Sequence, residues 1–166
     1  MKDTSVLSPP TDYNSWLEYL DSLESGYSYD GFEEVLVKSS CPEYRGIKSY
    51  LHQRIEKTVN AIINSCIKDL HRNVTKYVEG NEISGMHILF KRFAKRIEKC
   101  MFFCYIPFLD GDYKKELFEA AKSETYKFWN AMLASVKADV LNNNNTLLEE
   151  ELFLIERITL FENIEI

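Results

Sequence analysis

The sequence lacks a long uninterrupted run of apolar residues, which argues against a membrane-spanning helix. Its longest apolar run, residues 101–109, contains Pro107 and is far shorter than the roughly 20 residues that cross a bilayer. The opening residues, MKDTSVLSPP, include an acidic side chain and lack the apolar core of a signal peptide. We therefore expect no membrane association and a cytoplasmic location.

Cysteine is also scarce, with four residues among 166. Disulfides are not needed for stability, because 45% of the residues are apolar and 13% are aromatic, which is enough for one substantial core. Three of the four cysteines fall on the apolar faces of predicted helices. We expect the cysteines to be reduced and buried.

The motifs of common enzyme and metal sites are missing. The sequence has no glycine-rich phosphate loop, no G-x-S-x-G, no H-E-x-x-H and no Glu-x-x-His pair. Cys100 and Cys104 share a helix face and would supply half of a zinc site, but no second pair accompanies them. Asp110 and Asp112 lack the later ligands of a calcium loop. We therefore predict no metal site and no cofactor.

Helical periodicity is what the sequence does contain, most clearly in the segment 43–79. Apolar residues recur there every three or four positions, as on one face of an amphipathic helix. At about 1.5 Å per residue this helix would be on the order of 55 Å long, so we expect it to span a bundle or to bend near Gly46. The stripe consists of Ile47, Leu51, Ile55, Val59, Ile62, Cys66, Leu70, Val74 and Tyr77.

The rest of the chain divides into further predicted helices at capping residues, glycines, prolines and asparagines. For the first helix, Asp12 and Ser15 are both candidate caps, and Gly26 is its predicted stop. Residues 32–37 favour a helix, although they would also suit a strand. The next helix is predicted to start at 81 or 84 and to end before Pro107. Another is predicted to cover 113–141 with Asp112 as its cap, and a final helix to start at Thr146.

These elements predict an all-α fold. Residues 1–11 are expected to be a flexible lead-in, and residues 12–166 a single-domain bundle of five or six helices. The bundle contains two long helices, at about 43–79 and 113–141. Because the first of these is longer than one domain needs, we also expect its surplus apolar stripe to contact a second copy in a homodimer.

A short arginine–histidine pair lies near the start of the long helix. In the segment RGIKSYLH, Arg45 and His52 are separated by six residues, and this pair resembles the R-x(4–6)-H element of the HEPN family of small helical ribonucleases. The resemblance implies RNA cleavage across a dimer, with the histidine and arginine handling proton transfer and phosphate charge. The alternative interpretation is that both are exposed helix residues.

Charge is distributed unevenly along this chain of net charge −6. Residues 43–109 carry 12 basic and 6 acidic side chains, whereas both ends are strongly acidic. Five cations fall on one predicted helix face, which we call the basic stripe. It could be solvated, or bind the chain's own acidic segment Glu149–Glu151, a protein partner or nucleic acid. The stripe consists of Lys91, Arg92, Lys95, Arg96 and Lys99.

A second candidate contact site is aromatic. Tyr27 and Tyr29 lie in one predicted loop, and Trp16 precedes them on the first helix. Large, stiff aromatic side chains often anchor protein interfaces, but this loop could equally pack over the bundle. Since no set of catalytic side chains is evident, we predict a regulator, inhibitor or immunity-type factor that binds another protein. The alternatives are a HEPN-like ribonuclease and a nucleic-acid-binding regulator.

Overall fold

The described chain consists of helices joined by short connections. A computed structural model describes residues 8–25, 35–36, 38–40, 47–80, 83–143 and 146–166. These ranges contain no strand, which confirms the predicted all-α fold. None of the described helices has the combination of length and apolar character needed to cross a bilayer. Among the described residues, five α-helices have defined bounds: α1 (Tyr13–Glu24), α2 (Ile47–Glu79), α3 (Met86–Cys100), α4 (Gly111–Asn143) and α5 (Thr146–Ile155).

Helix α1 begins with a reciprocal capping box. The Asp12 side chain accepts a hydrogen bond from the Ser15 backbone N–H at 2.9 Å, and the Ser15 hydroxyl accepts one from the Asp12 N–H at 3.0 Å. Two N–H groups that the helix leaves unsatisfied thereby gain partners. Of the two candidate caps, Asp12 is therefore the cap and Ser15 the third helical residue. The predicted stop at Gly26 lies outside the described residues.

Helix α2 is 33 residues long, or about 50 Å, and its predicted apolar stripe is confirmed. From Leu51 to Val74 every residue of the stripe is at most 6% exposed, and Tyr77 is half-buried. Because the chain itself covers these side chains, the stripe between Leu51 and Val74 offers no apolar surface to a second copy. The apolar stripe of α2 is therefore no longer a reason to expect a homodimer.

Several helix ends differ from the predicted ones. Helix α3 stops at Cys100, and the chain continues as the 3-10 helix Met101–Tyr105. That helix ends before Pro107, which disfavours α geometry at the residue preceding it. Asp112 lies in the first turn of α4 instead of capping it. The carbonyl of Asp110 already accepts the Lys114 N–H at 3.0 Å.

Three buried cysteines are reduced, as expected. Cys66, Cys100 and Cys104 are at most 2% exposed and form no disulfide, while Cys41 lies outside the described residues. Burial raises the pKa of the Cys66 thiol, and it raises that of Cys104 to about 12 despite the nearby Lys114. These thiols are core side chains of low reactivity.

Close contacts group the chain into two compact units. Unit 1 comprises residues 1–62, 99–121 and 166, and unit 2 comprises residues 63–98 and 122–165. The long helices α2 and α4 contribute residues to both units. Each unit is therefore built from parts of the chain that are distant in sequence.

In unit 1, an arginine on α2 holds α1. Arg54 forms ion pairs with Asp21 and Glu24 near the end of α1. The hydroxyl of Thr58, one turn further along α2, donates to Glu24 at 2.8 Å. These bonds fix which face of α1 packs on α2, so that the apolar side chains of α1 are buried.

In unit 2, aromatic side chains of α3 pack on α4. The ring of Phe90 meets the edge of Trp129 at 5.2 Å between centroids, and Phe93 stacks on Trp129 at 6.0 Å. Residues 156–165, after α5, also belong to this unit, and within it the Glu98 carboxylate accepts two hydrogen bonds from Asn163. This packing fixes the outward face of α3.

Candidate functional site

The basic stripe is the outward face of α3. Its apolar side chains point into unit 2, with Phe90 and Ile97 fully buried and Phe93 3% exposed. The basic side chains occupy the opposite side, where Lys91, Arg92, Lys95 and Lys99 are exposed and Arg96 is half-buried. The predicted basic face is therefore the side of α3 that is turned away from these buried side chains.

Three of the five cations of the stripe have no ion-pair partner among the described residues. Arg96 forms an ion pair with Asp69 at 3.0 Å, and Asp69 is shared with Arg72 at 2.9 Å. Lys91, Arg92 and Lys95 form no ion pair with any residue that the structure describes. Three exposed positive charges thus stand together on a protein of net charge −6.

Glu151 of the acidic segment does not lie on the stripe. Its side chain is only 10% exposed, and both carboxylate oxygens accept hydrogen bonds at the start of α3. The partners are the backbone N–H of Gly85, at 2.7 Å, and the N–H and Nδ1 of His87, at 2.7 Å and 2.8 Å. Its neighbours Glu149 and Glu150 remain exposed.

The electrostatics of Glu151 follow from these contacts. Burial by itself raises the pKa of the carboxyl group, but the N–H groups of His87 and Gly85 and the His87 ring outweigh it and hold the pKa below its ordinary value. The sequence analysis did not predict this contact between Glu151 and His87. A signal was available, since the first turn of α3 contains no acidic residue and its unsatisfied N–H groups require an acceptor from elsewhere.

The turn that precedes α3 depends on a glycine. Gly85 has a φ of +92°, a conformation that side chains with a Cβ atom rarely adopt. This geometry turns the N–H of Gly85 toward Glu151 while its carbonyl accepts the Ile88 N–H at 3.0 Å. The start of α3 is therefore fixed at two points.

An exposed isoleucine extends the stripe toward the start of α3. Ile88 is 45% exposed and precedes Lys91, Arg92 and Lys95 by three, four and seven positions, which places it on the same helix face. The outward face of α3 thus combines several positive charges with one apolar side chain. Protein interfaces often have this composition, with apolar contacts surrounded by polar groups.

The predicted ribonuclease residues are only partly described. Arg45 lies outside the described residues. His52 is half-buried, and its ring stacks on that of Tyr113 at 4.0 Å between centroids and 13° between planes. The Tyr113 hydroxyl also donates to the His52 carbonyl oxygen at 2.7 Å. The interpretation of His52 as an exposed helix residue is therefore wrong, because Tyr113 covers its ring.

Trp16 belongs to the core of unit 1 and not to a contact surface. It has no exposed area, and its Nε1 donates to the carbonyl oxygen of Ser40 at 2.9 Å. Its ring meets the edge of Phe108 at 5.6 Å between centroids. The aromatic contact site predicted for Trp16 is therefore corrected, since no partner can reach the ring. Tyr27 and Tyr29 lie outside the described residues.

Comparison with known proteins gives no further assignment. No protein-family model, curated protein or solved structure matches this chain. Within the described ranges, no three His, Cys, Asp or Glu side chains are grouped so that they could hold a metal ion. The outward face of α3 remains the surface with the clearest chemical character.

Proposed function

We propose that this protein is a non-enzymatic binding protein that uses the basic stripe to bind an acidic surface of another protein. The observation that supports the proposal is that Lys91, Arg92 and Lys95 are exposed and form no ion pair with a described residue. A regulator, inhibitor or immunity-type role would be the consequence of that binding. The cytoplasm is the proposed location.

The charge of the whole chain makes this stripe unusual. In a protein of net charge −6, an acidic partner is repelled by the net charge and attracted where cations are grouped. Such complementarity contributes to association rate and partner choice more than to affinity. The stripe therefore favours one docking orientation for an acidic partner.

The apolar neighbour of the stripe favours a protein over nucleic acid as its partner. Ile88 offers a contact that a phosphate backbone does not use. Sequence-tolerant binding of single strands relies on exposed aromatic side chains on which bases stack. The aromatic side chains of α3, Phe90 and Phe93, are instead buried against Trp129.

The proposal is tested by affinity capture from the native cell extract with matched charge reversals. The test variant is Arg92→Glu/Lys95→Glu. The control is Lys76→Glu/Lys127→Glu, which reverses two exposed lysines that have no ion pair with a described residue. We expect the wild type and the control to recover the same protein in stoichiometric amount, and the test variant to lose it. Circular dichroism establishes that all three are folded.

Two results would contradict the proposal. Recovery of identical proteins by the wild type, the test variant and the control would show that the stripe binds no protein. Copurified RNA or DNA whose affinity falls steeply with salt and with the Arg92/Lys95 reversal would instead indicate a nucleic-acid-binding protein. RNA cleavage by the purified protein that is lost in a folded His52→Ala variant would establish the HEPN-like alternative.

A further inference from the structure

We infer that a second copy of this chain binds the basic stripe through the outward face of α5. This inference rests on the proposed function, because it names a partner for the same stripe. The outward face of α5, called the acidic face below, is exposed at every position and combines two carboxylates with three large apolar side chains. It consists of Leu147, Glu149, Glu150, Phe153 and Leu154.

The acidic face is unusually apolar for a helix surface in contact with water. Leu147 is 54% exposed, Phe153 55% and Leu154 38%. Phe153 lies one turn after both glutamates, so apolar and acidic groups are interleaved on one side of the helix. The guanidinium of Arg157 lies over the Phe153 ring at 4.1 Å from its centroid, which limits the orientations of that ring. Exposed apolar side chains in such a group commonly mark a binding surface.

The acidic face and the basic stripe are complementary in charge and in apolar character. The stripe presents three cations that have no ion-pair partner in the described part of the chain, and Ile88 provides an apolar group at one end. The acidic face presents Glu149 and Glu150, which likewise form no ion pair with any described residue. Each surface therefore offers the groups that the other lacks.

The position of Glu151 brings these two surfaces side by side on unit 2. Its bonds to Gly85 and His87 place the start of α3 against the middle of α5. Ile88 directly follows His87, while Leu147 and Leu154 lie four positions before and three positions after Glu151. When two complementary surfaces lie side by side, a two-fold axis along the boundary between them places the basic stripe of one copy on the acidic face of the other, and the reverse.

Such a dimer would contain two identical contacts between α3 of one copy and α5 of the other. A standard stable interface buries about 1,600 Å² in total, so each contact has to supply only half of that area. The apolar groups Ile88, Phe153 and Leu154 would lie at the centre, with the charges around them. The acidic surface of a different protein would compete with α5 for the stripe.

The inference is tested by charge reversal on each surface, with the molecular mass measured by sedimentation equilibrium. The stripe variant is Arg92→Glu/Lys95→Glu, and the acidic-face variant is Glu149→Lys/Glu150→Lys. We expect a wild-type dimer that weakens as salt rises, and a dissociation constant raised roughly tenfold or more in either variant, because like charges then face each other. The Lys76→Glu/Lys127→Glu control should dimerise like the wild type.

Mixing the two variants gives the decisive measurement. In a pair with one copy of each variant, both contacts again join opposite charges, so native mass spectrometry of the mixture should show a one-to-one heterodimer. A chain that carries all four reversals should again form a homodimer. If a double reversal lowers helicity, the single variants Lys95→Glu and Glu150→Lys take its place in the same mixture.

The inference is overturned if the wild type is monomeric, if the acidic-face variant dimerises like the wild type, or if the mixture contains no heterodimer. These results can be separated from failure of the proposed function, because the acidic-face variant retains an intact stripe. If an extract protein binds through the stripe and the chain does not self-associate, the proposed function is supported and the second copy is not the partner. If charge reversal on the stripe leaves self-association unchanged, the second copy does not bind the stripe.

Discussion

A single carboxylate, that of Glu151, caps the start of α3. The first backbone N–H groups of any helix have no partner within the helix, and their partial positive charge attracts an anion. Glu151 supplies that anion from α5, 66 and 64 residues away in sequence from Gly85 and His87. The contact costs the desolvation of a charge, which two backbone hydrogen bonds and the His87 ring offset.

We expect Glu151→Gln to lower the free energy of unfolding by about 1–3 kcal/mol at neutral pH, the usual range for a hydrogen-bonded charged group. The pKa of Glu151 is lowered in the folded state. Its stabilisation is therefore complete above the ordinary carboxyl pKa of about 4.3 and is lost as the pH falls through the lower folded pKa. Urea unfolding at neutral and acid pH measures the difference, which should shrink in acid.

Glu124→Gln is the matched control for this prediction, because Glu124 is an exposed glutamate of α4 that belongs neither to the basic stripe nor to the acidic face. It should change the free energy of unfolding by less than about 0.5 kcal/mol. An equal loss in the two variants, or a Glu151→Gln loss that does not depend on pH, would show that the bonds to the start of α3 contribute little.

At the scale of elements, the docking of α1 depends on one arginine. Arg54 is 16% exposed at its side chain, and the two carboxylates it binds are 68% exposed for Asp21 and 25% for Glu24. Burial raises the pKa of Glu24, but the hydrogen bonds from Arg54 and Thr58 outweigh it and lower the pKa overall. Such partly buried pairs are worth more than surface ion pairs, because water screens them less.

We expect Arg54→Met to lower the free energy of unfolding by about 1–2 kcal/mol, between the values for exposed and buried ion pairs. The loss should be local, so hydrogen exchange should accelerate in α1 more than in α3 or α5. The control is Arg72→Met on the same helix, whose side chain is 66% exposed beside Asp69, and it should cost less than about 0.5 kcal/mol. Equal losses for both variants would contradict the role of Arg54.

At the scale of the whole molecule, the two units share their longest helices. Helices α2 and α4, each 33 residues long, contribute residues to both units. A helix that unfolds in one unit loses the hydrogen bonds that continue it into the other, so the two units have a common cooperative element. The chain also has two tryptophans, Trp16 in unit 1 and Trp129 in unit 2.

We expect one cooperative unfolding transition, observed from both units. The Trp129→Phe variant retains fluorescence from Trp16 alone, and the Trp16→Phe variant retains it from Trp129 alone. In each variant the fluorescence transition in urea should coincide with the loss of helical circular dichroism, which is the test for two-state unfolding. A fluorescence change that precedes or follows the loss of helicity would show that the units unfold separately.

The sequence by itself determined the helices, because helical periodicity and capping are local properties of the chain. The three- and four-residue steps from Leu51 to Val74 predicted the buried side of α2 correctly. The same rule separated the basic stripe from the apolar side of α3. The helix ends were predicted less accurately: α3 was expected to continue until Pro107 but ends at Cys100, and α4 begins at Gly111 and not at Tyr113.

Only the tertiary structure decided which distant side chains meet. Trp16 was a candidate contact residue, but in the structure it is buried against Ser40 and Phe108. His52 was a candidate exposed residue, but the ring of Tyr113 stacks on its ring. Glu151 looked like part of an acidic segment free to neutralise the stripe. Instead, its carboxylate binds the start of α3, which is 64 or more residues away in sequence. Helical periodicity contains no information about contacts between residues so far apart in sequence.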